Sequence, residues 1–174
     1  MTPVVIPVVG GKKSGKTTTI ELLVKDLAHR GYEVAVAKYI PEPDFTIDTE
    51  GKDTWRFASA GAKVVVGVSS DEVATIEKVH TASFSLDDIL RRCSDVDVVF
   101  LEGFRKLAAA DKRFPKIVVA KSAGDVAEAV EAFEPILACA GSYNTEKDYP
   151  AIPYVDVLLG PKKLADIVEK LVEK

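Results

Sequence analysis

Val8-Val9-Gly10-Gly11-Lys12-Lys13-Ser14-Gly15-Lys16-Thr17-Thr18 is the stretch on which the fold turns. From Gly10 to Thr17 it follows G-x-x-x-x-G-K-[ST], and each fixed position has a physical task. Gly10 and Gly15 let the backbone turn tightly and approach a ligand, so that successive N–H groups point at phosphate oxygens. A helix that starts near Lys16 adds the positive end of its dipole. Lys16 carries a point charge to the β and γ phosphates, which makes it a candidate catalytic residue, and the Thr17 hydroxyl is placed to bind Mg²⁺. The candidate phosphate-contacting set is Gly10, Lys12, Lys13, Ser14, Gly15, Lys16, Thr17 and Thr18. Within it, Lys12 and Lys13 read as a solvated pair in loose contact.

The flanks supply the context that this motif requires. Residues 4–9 form an apolar run that reads as a buried strand, although Pro7 has no N–H to give to a sheet. Either the ladder is broken there or the paired part starts later. Ile20, Leu23, Val24 and Leu27 recur at helical spacing up to Gly31, a C-cap candidate. Further strands are expected over 33–37, 96–101, 117–120 and, last in the chain, 136–140. Residues 63–68 and 73–79 read as a hairpin-like pair. Helices are expected over 53–60, from an N-cap at Ser85 to near Cys93, over 125–133, and over 162–174 after Pro161. Apolar strands alternating with helices predict an α/β fold, a three-layer P-loop NTPase architecture with a mostly parallel sheet covered on both faces. With no repeat or linker visible, residues 1–174 are expected to form one domain.

Composition excludes several classes. The chain has 174 residues, 47% hydrophobic and 29% charged, which fits a globular domain rather than a disordered one. A net charge of −4 and a pI near 5.3 argue against bulk nucleic-acid binding. The apolar runs are too short for a bilayer crossing, and the N-terminus lacks the features of a signal peptide, so a cytoplasmic protein is expected. Cys93 and Cys139 read as reduced thiols, and His29 and His80 have no partner at zinc-ligand spacing.

A second acid should stand near the phosphate loop. The strand expected over 96–101 runs into Glu102-Gly103-Phe104. An acid at the C-terminal end of a buried parallel strand is where a metal-associated carboxylate belongs, so Glu102 is the candidate, catalytic as well as metal-associated, against a helix-cap or surface acid as the competing reading, with Asp97 at the far end and structural. Residues 39–51 read as a long loop, and 44–53 as a natural segment to be ordered by a γ-phosphate and metal. Asp48, a candidate metal-associated residue, and Asp53, a candidate catalytic one, could there orient the attacking water or a bridging water on the metal, with a solvated acidic loop and Asp53 as a helix N-cap as the competing reading. Ser142, Asn144, Lys147 and Asp148 follow the last expected strand and read either as base contacts or as a polar turn.

Three segments taken together resemble one family. They are 8–17, then Ile47-Asp48-Thr49-Glu50-Gly51-Lys52-Asp53-Thr54 continuing to Ala60-Gly61-Ala62, and 97–104. The chain is similar there to molybdopterin-guanine dinucleotide biosynthesis protein B, the MobB family of P-loop GTP-binding proteins. The resemblance implies GTP and Mg²⁺ binding, weak GTP hydrolysis, homodimerisation, and support of the guanylyltransferase that attaches GMP to molybdopterin. Family members carry histidines after the lysine that closes the second strand, whereas here Lys38 is followed by Tyr39-Ile40-Pro41-Glu42-Pro43. Other readings of a phosphate loop are a metal-insertion GTPase, a small-molecule kinase using Arg91, Arg92 or Arg105 as clamps, and a nucleotide-switched adaptor without useful turnover.

Overall fold

β1 (Val4–Val9) lies between two parallel neighbours, β5 (Val98–Glu102) and β6 (Lys116–Ala120). The computed structural model describes residues 2–172, so residues 173 and 174 of the last expected helix lie outside the described residues. With β2 (Val34–Lys38), β7 (Ile136–Gly141) and β8 (Tyr154–Val155), these strands form a parallel sheet of order β2-β5-β1-β6-β7-β8. Pro7 is tolerated because the ladder to β6 begins only at Val8, while the pairing with β5 continues past it.

Alternate residues of each strand feed opposite faces. Ile6, Val8, Val98, Phe100, Ile117, Val119, Ala138 and Ala140 pack on one side against α1 (Lys16–His29) and α6 (Pro161–Val172). Val5, Val9, Val99, Leu101, Val118, Ala120 and Cys139 pack on the other. That second face is covered by α3 (Leu86–Leu90), α4 (Arg105–Ala110) and α5 (Ala123–Ala132). The period of two decides which side each residue joins, and full burial of a Leu or Ile contributes roughly 1.5–3 kcal/mol. The three-layer α/β expectation is met. α1 ends as its sequence predicts: Gly31 at φ +95 follows the last turn, with its N–H on Ala28 O and that of Tyr32 on Leu27 O.

By internal contacts the chain divides into two compact units. One comprises the chain up to Tyr39 and from Ser85 onward; the other is Ile40–Phe84. The second contains α2 (Asp53–Ser59) and the antiparallel pair β3 (Val64–Val68) and β4 (Val73–Glu77), the hairpin expected from sequence.

Two expectations need correction, and one helix lies outside them. The strand over 136–140 is not the last, because the short β8 follows it, entered from Pro153. Ser85 does cap a helix, in a capping box with Asp88, but α3 ends at Leu90 and reaches Cys93 only through single turns. α4 had not been anticipated. It starts directly after β5, its N-cap Phe104 offers no side-chain acceptor, and it is only six residues long.

Candidate functional site

The loop between β1 and α1 is held open by its backbone conformation. Gly10, Lys13 and Gly15 have φ of +155, +57 and +100. A Cβ on Gly10 would lie 2.2 Å from the Val119 carbonyl oxygen, so the loop is pressed onto β6 as only glycine allows. Gly15 caps α1 in a left-handed conformation without a side-chain cap, and the first turn contains no acid. The helix therefore presents its first N–H groups and its positive dipole end to whatever enters the loop.

Lys16 folds back across this concavity, with Nζ donating to Gly10 O at 3.2 Å and to Gly11 O at 2.7 Å. Burial lowers its pKa below the ordinary lysine value; Glu102 opposes this, and the charges of Lys38, Arg105 and Lys121 lower it further. Four cations thus bear on one small volume, a field that an anion would relieve. Ser14 Oγ is buried without a hydrogen-bond partner. An unsatisfied hydroxyl beside a ring of N–H groups fits a phosphate oxygen as its missing partner. Thr17 and Thr18 are exposed at the start of α1, whereas Thr19 is buried and donates its hydroxyl to Gly15 O.

Glu102 ends β5 directly beside β1, in register with Val8 and Lys38. It accepts the Thr17 hydroxyl at Oε1, at 2.9 Å. Two of the three residues expected near a metal, Thr17 and Glu102, are therefore brought together from elements 85 positions apart in sequence. A hydroxyl and a carboxylate at one solvent-facing edge are the oxygen ligands that Mg²⁺ prefers. Asp97 sits at the other end of β5 and accepts the Glu33 N–H at 2.8 Å, the structural role expected of it. Lys12 and Lys13 are exposed; Lys12 contributes its carbonyl oxygen, which accepts from Lys121 Nζ at 3.3 Å.

Asp48 and Asp53 belong to the unit Ile40–Phe84. Asp48 Oδ1 accepts from the Thr54 hydroxyl and the Thr49 N–H, at 3.0 and 2.8 Å, fastening the loop to α2. Asp53 is the first residue of α2, after the N-cap Lys52, and faces solvent beside Arg56. Ser142 and Asn144 follow β7. Asn144 Oδ1 accepts the Glu146 N–H at 2.9 Å, closing a local polar turn, and the Tyr143 hydroxyl donates to Asp148 at 2.7 Å.

Lys38 and Lys121 bear on the phosphate loop without having been singled out there. Lys38 closes β2 and is brought to Glu102 by the strand order, which a local pattern does not reveal. Lys121 follows β6, where its backbone N–H donates to Asp125 Oδ2 at 2.9 Å. The usable sequence signal is a lysine at the C-terminal end of β2 and another just past that of β6, the end where ligands bind in such sheets. Among the described residues no group of three or more His, Cys, Asp or Glu side chains is arranged to hold a metal, and no helix is long and apolar enough to cross a membrane.

Residues 5–142 match the model of the family described as molybdopterin guanine dinucleotide synthesis protein B. A molybdopterin-guanine dinucleotide biosynthesis adapter protein of Haemophilus influenzae is 31% identical over 144 residues, which is 81% of this chain and 76% of the relative. A Methanocaldococcus jannaschii protein, provisionally named as such an adapter, is 40% identical over 121 residues, or 67% of this chain. The chain spans about half the length of that relative, 47%. A crystal structure of molybdopterin-guanine biosynthesis protein B has a TM-score of 0.76 at 28% identity, covering 98% of this chain and 100% of the other. A MobB homologue from Bacillus stearothermophilus shares the fold, with a TM-score of 0.70 at 22% identity over 97% of each chain. The match over 5–142 takes in the phosphate loop, Lys38 and Glu102 alike, and the chain belongs to the molybdopterin guanine dinucleotide synthesis protein B family, MobB.

Proposed function

We propose that this chain is a GTP-binding accessory protein of molybdenum or tungsten cofactor assembly, assisting in the cytoplasm the guanylyltransferase that converts molybdopterin to its guanine dinucleotide. The observation that carries the reading is the Thr17–Glu102 contact at the foot of the Gly10–Thr17 loop. It joins a phosphate-binding turn to a carboxylate at the same sheet edge, and family membership supplies the pathway.

The residues divide the work by their chemistry. Backbone N–H groups of 11–17 and the Ser14 hydroxyl bind phosphate oxygens. Lys16 exchanges its two carbonyl partners for the terminal phosphates, which favour its charged form. Thr17 and Glu102 hold Mg²⁺, which when bound screens the charge on the phosphate oxygens. Weak hydrolysis is part of the proposal, with Asp53 and Glu102 as the candidate acids. Ser142 and Asn144 stand in the turn after β7 as the base-facing candidates.

Homodimerisation is part of the proposal. β3 and β4 leave Val64, Val66, Val68 and Val73 exposed, at 48, 56, 74 and 66%. An unpaired two-stranded sheet with such a face is stabilised by a second copy. Equilibrium titration with GTP and ATP in Mg²⁺ tests the nucleotide reading: preferred GTP binding, lost in Lys16→Ala, supports it, and preference for ATP or binding of neither refutes it.

A further inference from the structure

One oxygen of Glu102 serves two partners. Oε1 accepts the Thr17 hydroxyl and also lies 3.5 Å from Lys38 Nζ. The Glu102 side chain is 11% exposed and that of Lys38 is 53% exposed. A nearly buried carboxylate thus has an ammonium group at its solvent side.

The backbone fixes this meeting. Lys38 and Glu102 are direct partners in the β2–β5 register, so their side chains leave the sheet on the same face. One residue on, the Tyr39 N–H donates to Glu102 O at 2.8 Å. Gly103 has φ +84, which suits glycine, and a Cβ there would crowd Tyr39 O at 3.1 Å. The Tyr39 and Phe104 rings meet edge to face at 5.9 Å. The strand end carrying Lys38 is therefore clamped level with the carboxylate.

We infer that Lys38 is the counter-ion of Glu102 in the metal-free protein, and that it gives the carboxylate up to Mg²⁺ and turns its charge to the bound polyphosphate. The inference rests on the nucleotide-binding reading above. A carboxylate beside a phosphate site repels the incoming polyanion unless a cation neutralises it. Lys38 and a divalent ion on the same oxygen repel each other, so each weakens the other's hold, and the antagonism is reciprocal. At 3.5 Å, with Lys38 half in solvent, the pair adds little to fold stability. Its effect is on what else Glu102 can bind. The half-exposed stem leaves the ammonium free to swing aside.

The test compares GTP binding by wild type, Lys38→Met, Lys38→Arg and Lys38→Met with Glu102→Gln, each in EDTA and in saturating Mg²⁺. Lys38→Met is expected to weaken binding by roughly tenfold or more in EDTA and by about threefold or less in Mg²⁺. The Mg²⁺ concentration for half-maximal effect should fall in Lys38→Met, Lys38→Arg should behave as wild type in EDTA, and adding Glu102→Gln should restore metal-free binding. Equal losses in both conditions with an unchanged Mg²⁺ requirement would overturn the inference, as would failure of Glu102→Gln to restore binding. A wild type that binds no GTP in either condition refutes the nucleotide reading instead, and this inference with it.

Discussion

The Thr17 hydroxyl donates to Glu102 Oε1 at 2.9 Å, tying the first turn of α1 to the end of β5. Both groups carry oxygen atoms suited to Mg²⁺, and the proposed site gives them a role separate from that of the loop backbone. Thr17→Ala and Glu102→Gln should each lower GTP affinity in Mg²⁺ by roughly tenfold or more while sparing binding in EDTA. Calorimetry in the two buffers reads this; equal losses in both would place the pair outside the metal site.

Ser14 offers the cleanest division between stability and binding. Its hydroxyl is buried and has no partner in the free protein. Ser14→Ala removes an unsatisfied polar atom, so urea denaturation should show a stability equal to wild type or up to about 1 kcal/mol higher. GTP affinity should fall by roughly three- to tenfold. A clear loss of stability would mean that the hydroxyl supports the loop itself.

Two glycines are required by contact and a third by conformation alone. A Cβ on Gly10 would sit 2.2 Å from Val119 O, and one on Gly141, at φ +110, 2.3 Å from Ala120 O. Alanine at either should cost roughly 2–4 kcal/mol, because strand backbone cannot retreat cheaply. Gly31 has positive φ but open space around it, so alanine there should cost about 1–2 kcal/mol. Denaturation midpoints that rank Gly31→Ala with the other two would contradict the close-approach argument.

Lys16 gives the pH dependence a sign. Its pKa is lowered from 10.5 in the free protein, first by burial. Bound triphosphate raises it again, so the complex holds more protons than the free protein. Affinity should therefore fall as pH rises through the lowered pKa, starting below the range of an ordinary lysine. Lys16→Arg, whose guanidinium keeps its proton there, should flatten the profile measured by fluorescence titration. By the same linkage the unfolded chain binds the extra proton between the lowered pKa and 10.5, so this group's contribution to stability rises with pH across that window.

The exposed valines predict the state of association. Val66→Asp with Val68→Asp places charge on the open face of β3 without touching buried Val65. Light scattering should find wild type dimeric and the variant monomeric, with fold stability changed by less than about 1 kcal/mol. A dimeric variant would move the interface elsewhere.

Much of the site was legible from spacing. Gly10–Thr17 declared its turn and helix start, and the buried run before Glu102 placed that acid at a strand end. The Ile20-Leu23-Val24-Leu27 stripe and the Ser85 capping signal located their helices because local physics dominates there. β8 was not legible: two residues between Pro153 and Asp156 carry no period, and the strand exists only because Cys139 and Ala140 of β7 pair with it. α4 lacked a capping side chain to announce it. The place of Lys38 beside Glu102 was hidden for a different reason, since it depends on β5 lying between β1 and β2. Strand order is a long-range outcome, and the acid's counter-ion followed from it.

A crystal structure of the protein with a non-hydrolysable GTP analogue and Mg²⁺ bears most directly on the central claim. The triphosphate is expected within the Gly10–Thr17 loop, Lys16 Nζ moved from Gly10 O and Gly11 O onto phosphate, and the metal on the side of Thr17 and Glu102. An analogue bound elsewhere, or a loop left empty at saturating analogue with Lys16 still on its carbonyls, would contradict it.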